Sequence, residues 1–419
     1  MNAQVSFLQG TINLIHIPLT LYSSFLEPIL KVLLPLSRGD TTNDNSFVNI
    51  SVTPLECSVV CNSTWAKEVF EPAIRRLPQS LSKSVTISKD AYAVLSFTSA
   101  GMDAGSRVAD LTSPLALAKI PIFFITTYYA DFILVPVNSI STVVKTLLTK
   151  GFVFSEDDNG SVFTTASAAH HTRGLSSGMS SSSSTTAGYG GGDPPSTPPP
   201  STVSELQERT FATLKKRKVL PYIEPDLTLV QCSGREVSEL VASNLQARRS
   251  YHHQRNGTSS SSSASYTPLW ADTVDTRLYT ALVAALVSQP RFLSLTLAHG
   301  DPPSMLMDRQ LLPIFGDSVV GPGGLGSSGL VPIFLDLQDL PLEVTGIVSG
   351  VAGRLMREMG QEEEDHDDQR LNKLNGNGQH DGGDLELSYL STARAGAVIL
   401  HSERSVRALK VLMPLMSGD

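Results

Sequence analysis

The stretch Arg107–Gly151, RVADLTSPLALAKIPIFFITTYYADFILVPVNSISTVVKTLLTKG, decides the fold. Val108, Leu111, Leu115 and Ala118 recur at helical spacing, so Arg107–Lys119 reads as a helix. Ile120–Thr126 is a continuous apolar run, long enough for a buried strand and too short for a helix; Asp131–Val135 is another. Asn138 or Ser139 is placed to cap a second helix, whose Ile140, Val143, Val144, Leu147 and Leu148 form one face before Gly151 stops it. With the apolar strand Tyr92–Phe97 in front, the order is strand–helix–strand–strand–helix. That is a split βαβ, ferredoxin-like pattern, and the fold class is α+β.

The end of the chain repeats this grammar. Pro332–Leu337 reads as a strand and Gly346–Met356 as a helix, with Val348, Val351, Ala352 and Leu355 on its face. Leu385–Thr392 and Ala397–Leu400 follow as strands, and Ser405–Leu415 closes as a helix. Laid on each other, Leu115 meets Leu355, Thr127 meets Thr392 and Leu147 meets Leu412. The slip in offset falls inside an acidic, Gly/Asn-rich insertion, Gln361–Asp384, where a loop absorbs it. Between the halves, residues 165–203 form a Ser/Gly/Pro tract that cannot offset its ordering entropy by burial. Shorter interruptions of the same kind lie at Asn256–Ser265 and Gly321–Gly329.

The 419 residues are 41% hydrophobic, enough for several cores. A net charge of -8 argues against a general nucleic-acid surface, which needs a basic excess. Cys57, Cys61 and Cys232 cannot make a disulfide framework and suit a reducing compartment. The apolar N-terminus, Val5–Leu36, lacks the basic start of a signal peptide and is interrupted too often to span a membrane. It reads as a strand (Thr11–His16), a turn at Pro18 and a helix around Ser24–Leu34. The expected location is the cytosol, which makes Asn49, Asn62, Asn159 and Asn256 chance sequons.

Enzyme motifs are scarce. Gly321–Gly326 fits G-x-G-x-x-G by letter, but no helix opens on it, so it reads as a loop. Glu362–Asp368 lacks the alternating ligand spacing of a calcium loop and reads as a solvated acidic loop. His170-His171 and His252-His253 have no partner spacing. Cys57 and Cys61 lack a second ligand pair and read as packed thiols. Lys215–Lys218 fits a nuclear-import or anionic-surface patch, but it sits at the end of the amphipathic stretch Val203–Leu214, where cations suit the helix dipole, and that favours the helix-end reading. No metal or cofactor is expected. Thr345-Gly346-Ile347 is a helix start whose N–H groups attract a carboxylate, although spacing alone favours an ordinary capped helix start.

From Pro114-Leu-Ala through Ile125-Thr-Thr-Tyr-Tyr-Ala-Asp-Phe-Ile-Leu-Val135, the chain resembles the CASTOR family, cytosolic arginine sensors of the TOR pathway built from ACT domains. Thr127-Tyr128-x-x-Asp131-Phe-Ile-Leu-Val135 is the most specific trace. Leu21-Tyr22 with Pro28-Ile-Leu-Lys, Val52-Thr53-Pro54-Leu-Glu and Gly346-Ile-Val-x-x-Val-Ala-Gly353 add weaker ones. The resemblance implies tandem ferredoxin-like (ACT) βαββαβ modules, four in two halves joined by a disordered linker. Their expected bounds are 8–85, 86–155, 204–328 and 329–419, with the linker at 156–203 and the acidic insert at 361–384. The third, roughly Leu227–Phe315, has helix-forming Ala and Leu where the family is strand-rich, in Arg277–Ala298.

It further implies a free amino acid held between the second and fourth modules, by Pro121, Ile122, Thr345, Gly346, Ile347 and Val348, with its side chain near Ser391-Thr392-Ala393. The family's serine is replaced by Pro121, which supplies neither N–H nor hydroxyl. The acid that pairs the guanidinium aligns with Gly396, and a glutamate near the helix start aligns with Val344, beside Glu343. A buried guanidinium without a carboxylate costs about 3–5 kcal/mol, so the ligand is arginine or another amino acid. Tyr128 and Asp131 match the surface that engages the GATOR complex, Tyr129 replaces its glutamine, and a strand-start turn accounts for Asp131 equally; a homodimer is implied too. The expectation is a non-catalytic, amino-acid-binding regulator acting through partners on TOR-type signalling. The alternative is an interaction scaffold of the same fold that has lost its ligand.

Overall fold

The computed structural model describes residues 4–34, 47–98, 106–155, 200–235, 275–321, 329–371 and 386–417, with side chains described only to Met359 in the sixth segment. The expected linker (but for its last residues), the insert 256–265, most of Gly321–Gly329, the paired histidines, Asn159 and Asn256 lie outside these residues.

In chain order, β1 (Gln4–Phe7) precedes a first block of β2 (Ile12–Ile17), α1 (Tyr22–Leu33), β3 (Phe47–Val52), β4 (Cys57–Asn62), a helical segment over 63–75 and β5 (Thr86–Ile87). The second block is β6 (Tyr92–Thr98), α2 (Arg107–Leu117), β7 (Phe123–Thr126), β8 (Asp131–Pro136), α3 (Ile140–Thr149) and β9 (Val153–Phe154). After α4 (Val203–Lys216) and β10 (Tyr222–Ile223), the third block holds β11 (Leu229–Ser233), α5 (Thr276–Val287), β12 (Leu293–Ala298) and β13 (Ser304–Asp308). The fourth holds β14 (Leu330–Asp336), α6 (Ile347–Leu371), β15 (Ser388–Ser391), β16 (Ala395–His401) and α7 (Ser402–Met416).

The described strands join one sheet, in the order β5-β2-β4-β3-β12-β13-β11-β14-β16-β15-β7-β8-β6-β1-β9, with β10 off this path on β14. Each block's first strand therefore neighbours its third, which neighbours its second, the ferredoxin-like order. The first and third blocks share a full antiparallel seam, from Val52↔Leu293 to Phe47↔Ala298. Single pairs make the other seams: Leu229↔Leu330, Leu390↔Ile125 and Ile12↔Tyr92. The last of these closes the sheet on itself.

Closure explains the continuous apolar runs, because a strand with both faces covered needs no polar alternation. In β8, Ile133 and Val135 pack toward the helices of blocks two and four, while Phe132 and Leu134 point into the ring. In β4, Cys57, Val59 and Cys61 face the helices of blocks one and three, and Val60 faces the ring. Burial pushes the Cys61 thiol up to about 12, so these cysteines are inert packing groups. Asn49 is 1% exposed, and its amide donates to Ser294 and Thr296 across the β3–β12 seam. Its sequon is spent on the core.

Four details correct the sequence reading. The strand expected from Ile120 starts at Phe123, because Lys119 (φ 58) and Ile120 finish α2: their N–H groups donate to Ala116 and Leu115 carbonyls. Ser139 gives no cap to α3; its hydroxyl donates to Asn138 instead. The acidic insert begins as helix, since α6 runs to Leu371 through good helix formers without a proline. The expected third segment is split. Its first part, α4 and β10, packs on α6 and α7 and pairs with β14 of the fourth block. β1, which precedes the first block, sits between β6 and β9. The basic run 215–218 closes α4, with Lys218 (φ 56) in the left-handed turn that ends it.

Candidate functional site

Three turns share one construction. Thr53, Thr127 and Thr392 each follow a second strand, and each hydroxyl accepts from the N–H three residues on, at Glu56, Ala130 and Ala395; at Thr53 and Thr127 it also donates to that residue's carbonyl. The correspondence of Thr127 with Thr392 read from sequence is thus a repeated hydrogen-bonded turn, with a third copy in the first block.

The turn at Thr392 closes a cavity of about 60 Å³ between blocks two and four. Its walls are the end of α2 (Ala116), Ile122 and Phe123, the connection Leu337–Val344, the start of α6 from Gly346 to Ser349, and β15 with its turn. Gly346 is required there twice over: its φ is +87°, and a Cβ would lie 2.8 Å from Leu206 on α4. The carbonyl of Gly346 accepts from Thr210 of α4, and Gly346 to Ser349 line the cavity at the N-terminal end of α6, the end of a helix that attracts anions. Across the blocks, Ser113 and Ser349 share a 2.8 Å hydrogen bond, and β7 and β15 are stitched by Phe124 N–H to Ser391 and Tyr389 N–H to Thr126.

A carboxylate from the first block locks this turn. Glu56 is 1% exposed; its Oε1 accepts from the Thr392 hydroxyl at 2.5 Å and the Arg394 N–H at 2.6 Å. Its Oε2 lies 2.5 Å from Nδ1 of His16, and Ser58 accepts from the Ala393 N–H. Tyr389 is buried with its hydroxyl unpartnered, packed where a side chain at Gly396 would stand, since a Cβ there would be 2.5 Å from that hydroxyl.

Of the residues expected to hold a ligand, Ile122, Gly346, Ile347, Val348 and Thr392 line the cavity; Pro121 and Thr345 adjoin it without lining it. Glu343, considered as a substitute acid, is exposed and outside it. Leu337–Leu342 of the connection, Tyr389 and Arg394 were missed. The position of that connection, between a strand and the Gly346 helix start, was the available signal.

A second, polar pocket of about 190 Å³ lies at Arg107, Thr126–Asp131, Gln231, Glu386 and Ser388. It holds all three expected partner residues. Tyr128 and Tyr129 are exposed, with ring centroids 5.0 Å apart. Asp131 is not at the surface: it is 1% exposed and its Oδ2 lies 2.6 Å from Nε of Arg107. Desolvation outweighs Arg107 and pushes the Asp131 carboxyl up to about 6. Tyr128 N–H donates to Ser304, and Ser233 donates to the Tyr129 hydroxyl, so this turn is tied to the third block. Among the described residues no cluster of His, Cys, Asp and Glu could hold a metal, and no helix is long and apolar enough to cross a membrane.

Residues 87–149 match the ACT domain family. The match covers the second block from just before β6 to the end of α3, and so includes one wall of the cavity. ACT domains are typically regulatory modules that bind small molecules, amino acids above all. No curated protein matches the chain by sequence. Among solved structures, protein Atu0741 from Agrobacterium tumefaciens is 19% identical, covering 37% of this chain and 93% of its own, with a TM-score of 0.25. Aspartate kinase from Synechocystis is 10% identical, over 99% of this chain and 56% of its own, with a TM-score of 0.29. The ligand-free regulatory subunit of aspartate kinase from Thermus thermophilus is 13% identical, over 35% of this chain and 95% of its own, at 0.23. These scores fall well short of a shared whole-chain architecture.

Proposed function

We propose that the chain is a non-catalytic regulator that binds a free amino acid between its second and fourth blocks and acts through a protein partner. In this reading every block is an ACT-like module, four in two halves, and the protein works in the cytosol on TOR-type nutrient signalling, as the CASTOR resemblance implies. The observation that carries it is the cavity at the start of α6, walled by an ACT-matching block on one side and the Thr392 turn on the other. The ligand's α-carboxylate meets the first N–H groups of α6, beside a glycine that lets it approach. Bound ligand ties Leu337–Val344 to both blocks, and differential affinity for the tied and untied states is what a partner reads. Tyr128 and Tyr129 are the exposed aromatic pair for that partner, with Asp131 shaping their turn from beneath. The homodimer implied by the resemblance belongs to the same proposal.

The scaffold alternative draws on Tyr389, whose ring fills the space before Gly396 and narrows the cavity. Thermal unfolding of the full chain against each free amino acid separates the two. A ligand at 100 times its dissociation constant adds about 2.7 kcal/mol. A shift with one amino acid, lost when Gly346 is replaced, supports the regulator; no shift with any supports the scaffold.

A further inference from the structure

We infer that the cavity between the second and fourth blocks selects an amino acid with an uncharged, aliphatic side chain and rejects cationic ones; this rests on the amino-acid reading of that cavity. The argument is one of charge and lining. Ala116, Ile122, Phe123, Leu337, Leu340 and Leu342 supply apolar walls, and among the described residues no Asp or Glu lines the cavity. Glu56, the carboxylate bound to the Thr392 turn, spends both oxygens on Thr392, Arg394 N–H and His16, and does not line the cavity. The one cationic side chain in the lining is Arg394, half-buried on that turn.

Two features therefore attract an anion, the α6 start and Arg394, and none balances a second cation. A zwitterion placing its carboxylate at that end satisfies both, and its side chain lies against the leucines. A guanidinium or ammonium side chain would lose its hydration, find no acid and face Arg394 at short range. Tyr389 narrows the cavity, because its ring occupies the space beside Gly396. The size agrees. At roughly 10–15 Å³ per water on the same measure, 60 Å³ is a few waters' worth, suited to a compact branched group rather than an extended one.

The test is calorimetric titration of the full chain with leucine, isoleucine, valine, methionine, arginine, lysine and glutamate. At least one of the first four should bind a hundredfold or more tighter than arginine and lysine. Ile122→Trp fills the cavity and should abolish that binding while its unfolding midpoint stays near that of the parent chain. Leu342→Asp, on the half-buried connection, places a carboxylate in the wall and should move the aliphatic-to-arginine ratio at least tenfold toward arginine. Arginine, lysine or glutamate as the tightest ligand would overturn the inference and leave the amino-acid reading standing. Aliphatic binding that survives Ile122→Trp would overturn the assigned place. Heat from none of the seven would overturn both.

Discussion

The turns at Thr127 and Thr392 are built alike and used differently. Both are closed by a threonine hydroxyl that accepts from the N–H three residues on, and both join the second and third strands of their blocks. At Thr127 the intervening side chains are two exposed tyrosines, and the turn is held from outside by Ser304 and Ser233 of the third block. At Thr392 the turn is buried, and a carboxylate from the first block holds its backbone. One turn thus presents a surface and the other closes a cavity. What separates them is whether a neighbouring block supplies hydroxyls at the rim or a charged acceptor at the centre. A repeated backbone unit gains distinct roles through what its partners bring.

The comparison breaks most severely at Glu56. Glu56→Ala leaves the Thr392 hydroxyl, the Arg394 N–H and His16 without their buried acceptor, and should cost about 3–5 kcal/mol in urea unfolding. A loss below about 1 kcal/mol would mean the turn closes unaided. Next is Gly346→Ala, which forces a left-handed φ on a Cβ already too near Leu206. It should cost about 1–3 kcal/mol and weaken amino-acid binding more than it weakens stability.

A pH titration sharpens the Thr127 side. The Asp131 carboxyl is raised by burial from 3.8 to about 6, so the folded chain holds a proton there that the unfolded chain releases. This contribution to stability is full below about pH 4 and lost as pH rises toward 6. Asp131→Asn should flatten the profile across that window; an unchanged slope would show that another group titrates. The smallest effect is expected for Tyr129→Phe, which removes one partly buried hydrogen bond to Ser233, about 0.5–1.5 kcal/mol by the same unfolding measurement.

Much of the fold was legible locally. The periodicity of Val108, Leu111 and Leu115 and the uninterrupted run Phe132–Val135 each follow from one face or two being covered, and both elements form where expected. Long-range placements left no such trace. Nothing in Gln4–Phe7 marks it for insertion between β6 and β9, and α4 with β10 joins a block that begins a hundred residues later in the chain. The cavity was half legible. Gly346 and Ile122 stand out because a glycine at a helix start and an apolar strand entry have local meaning. Tyr389 and Glu56 act across blocks: a strand tyrosine reads as core, and Glu56 reads as part of an ordinary turn until the Thr392 turn is folded against it.

The central claim is that a free amino acid binds where the Thr392 turn meets the start of α6. Amide hydrogen exchange of the full chain, with and without millimolar free amino acids, locates that event without assuming which one binds. The account predicts slowed exchange in 337–349 and 389–395 while 127–130 changes little. Unchanged exchange in 337–349, or protection confined to the turn at Thr127, would contradict it.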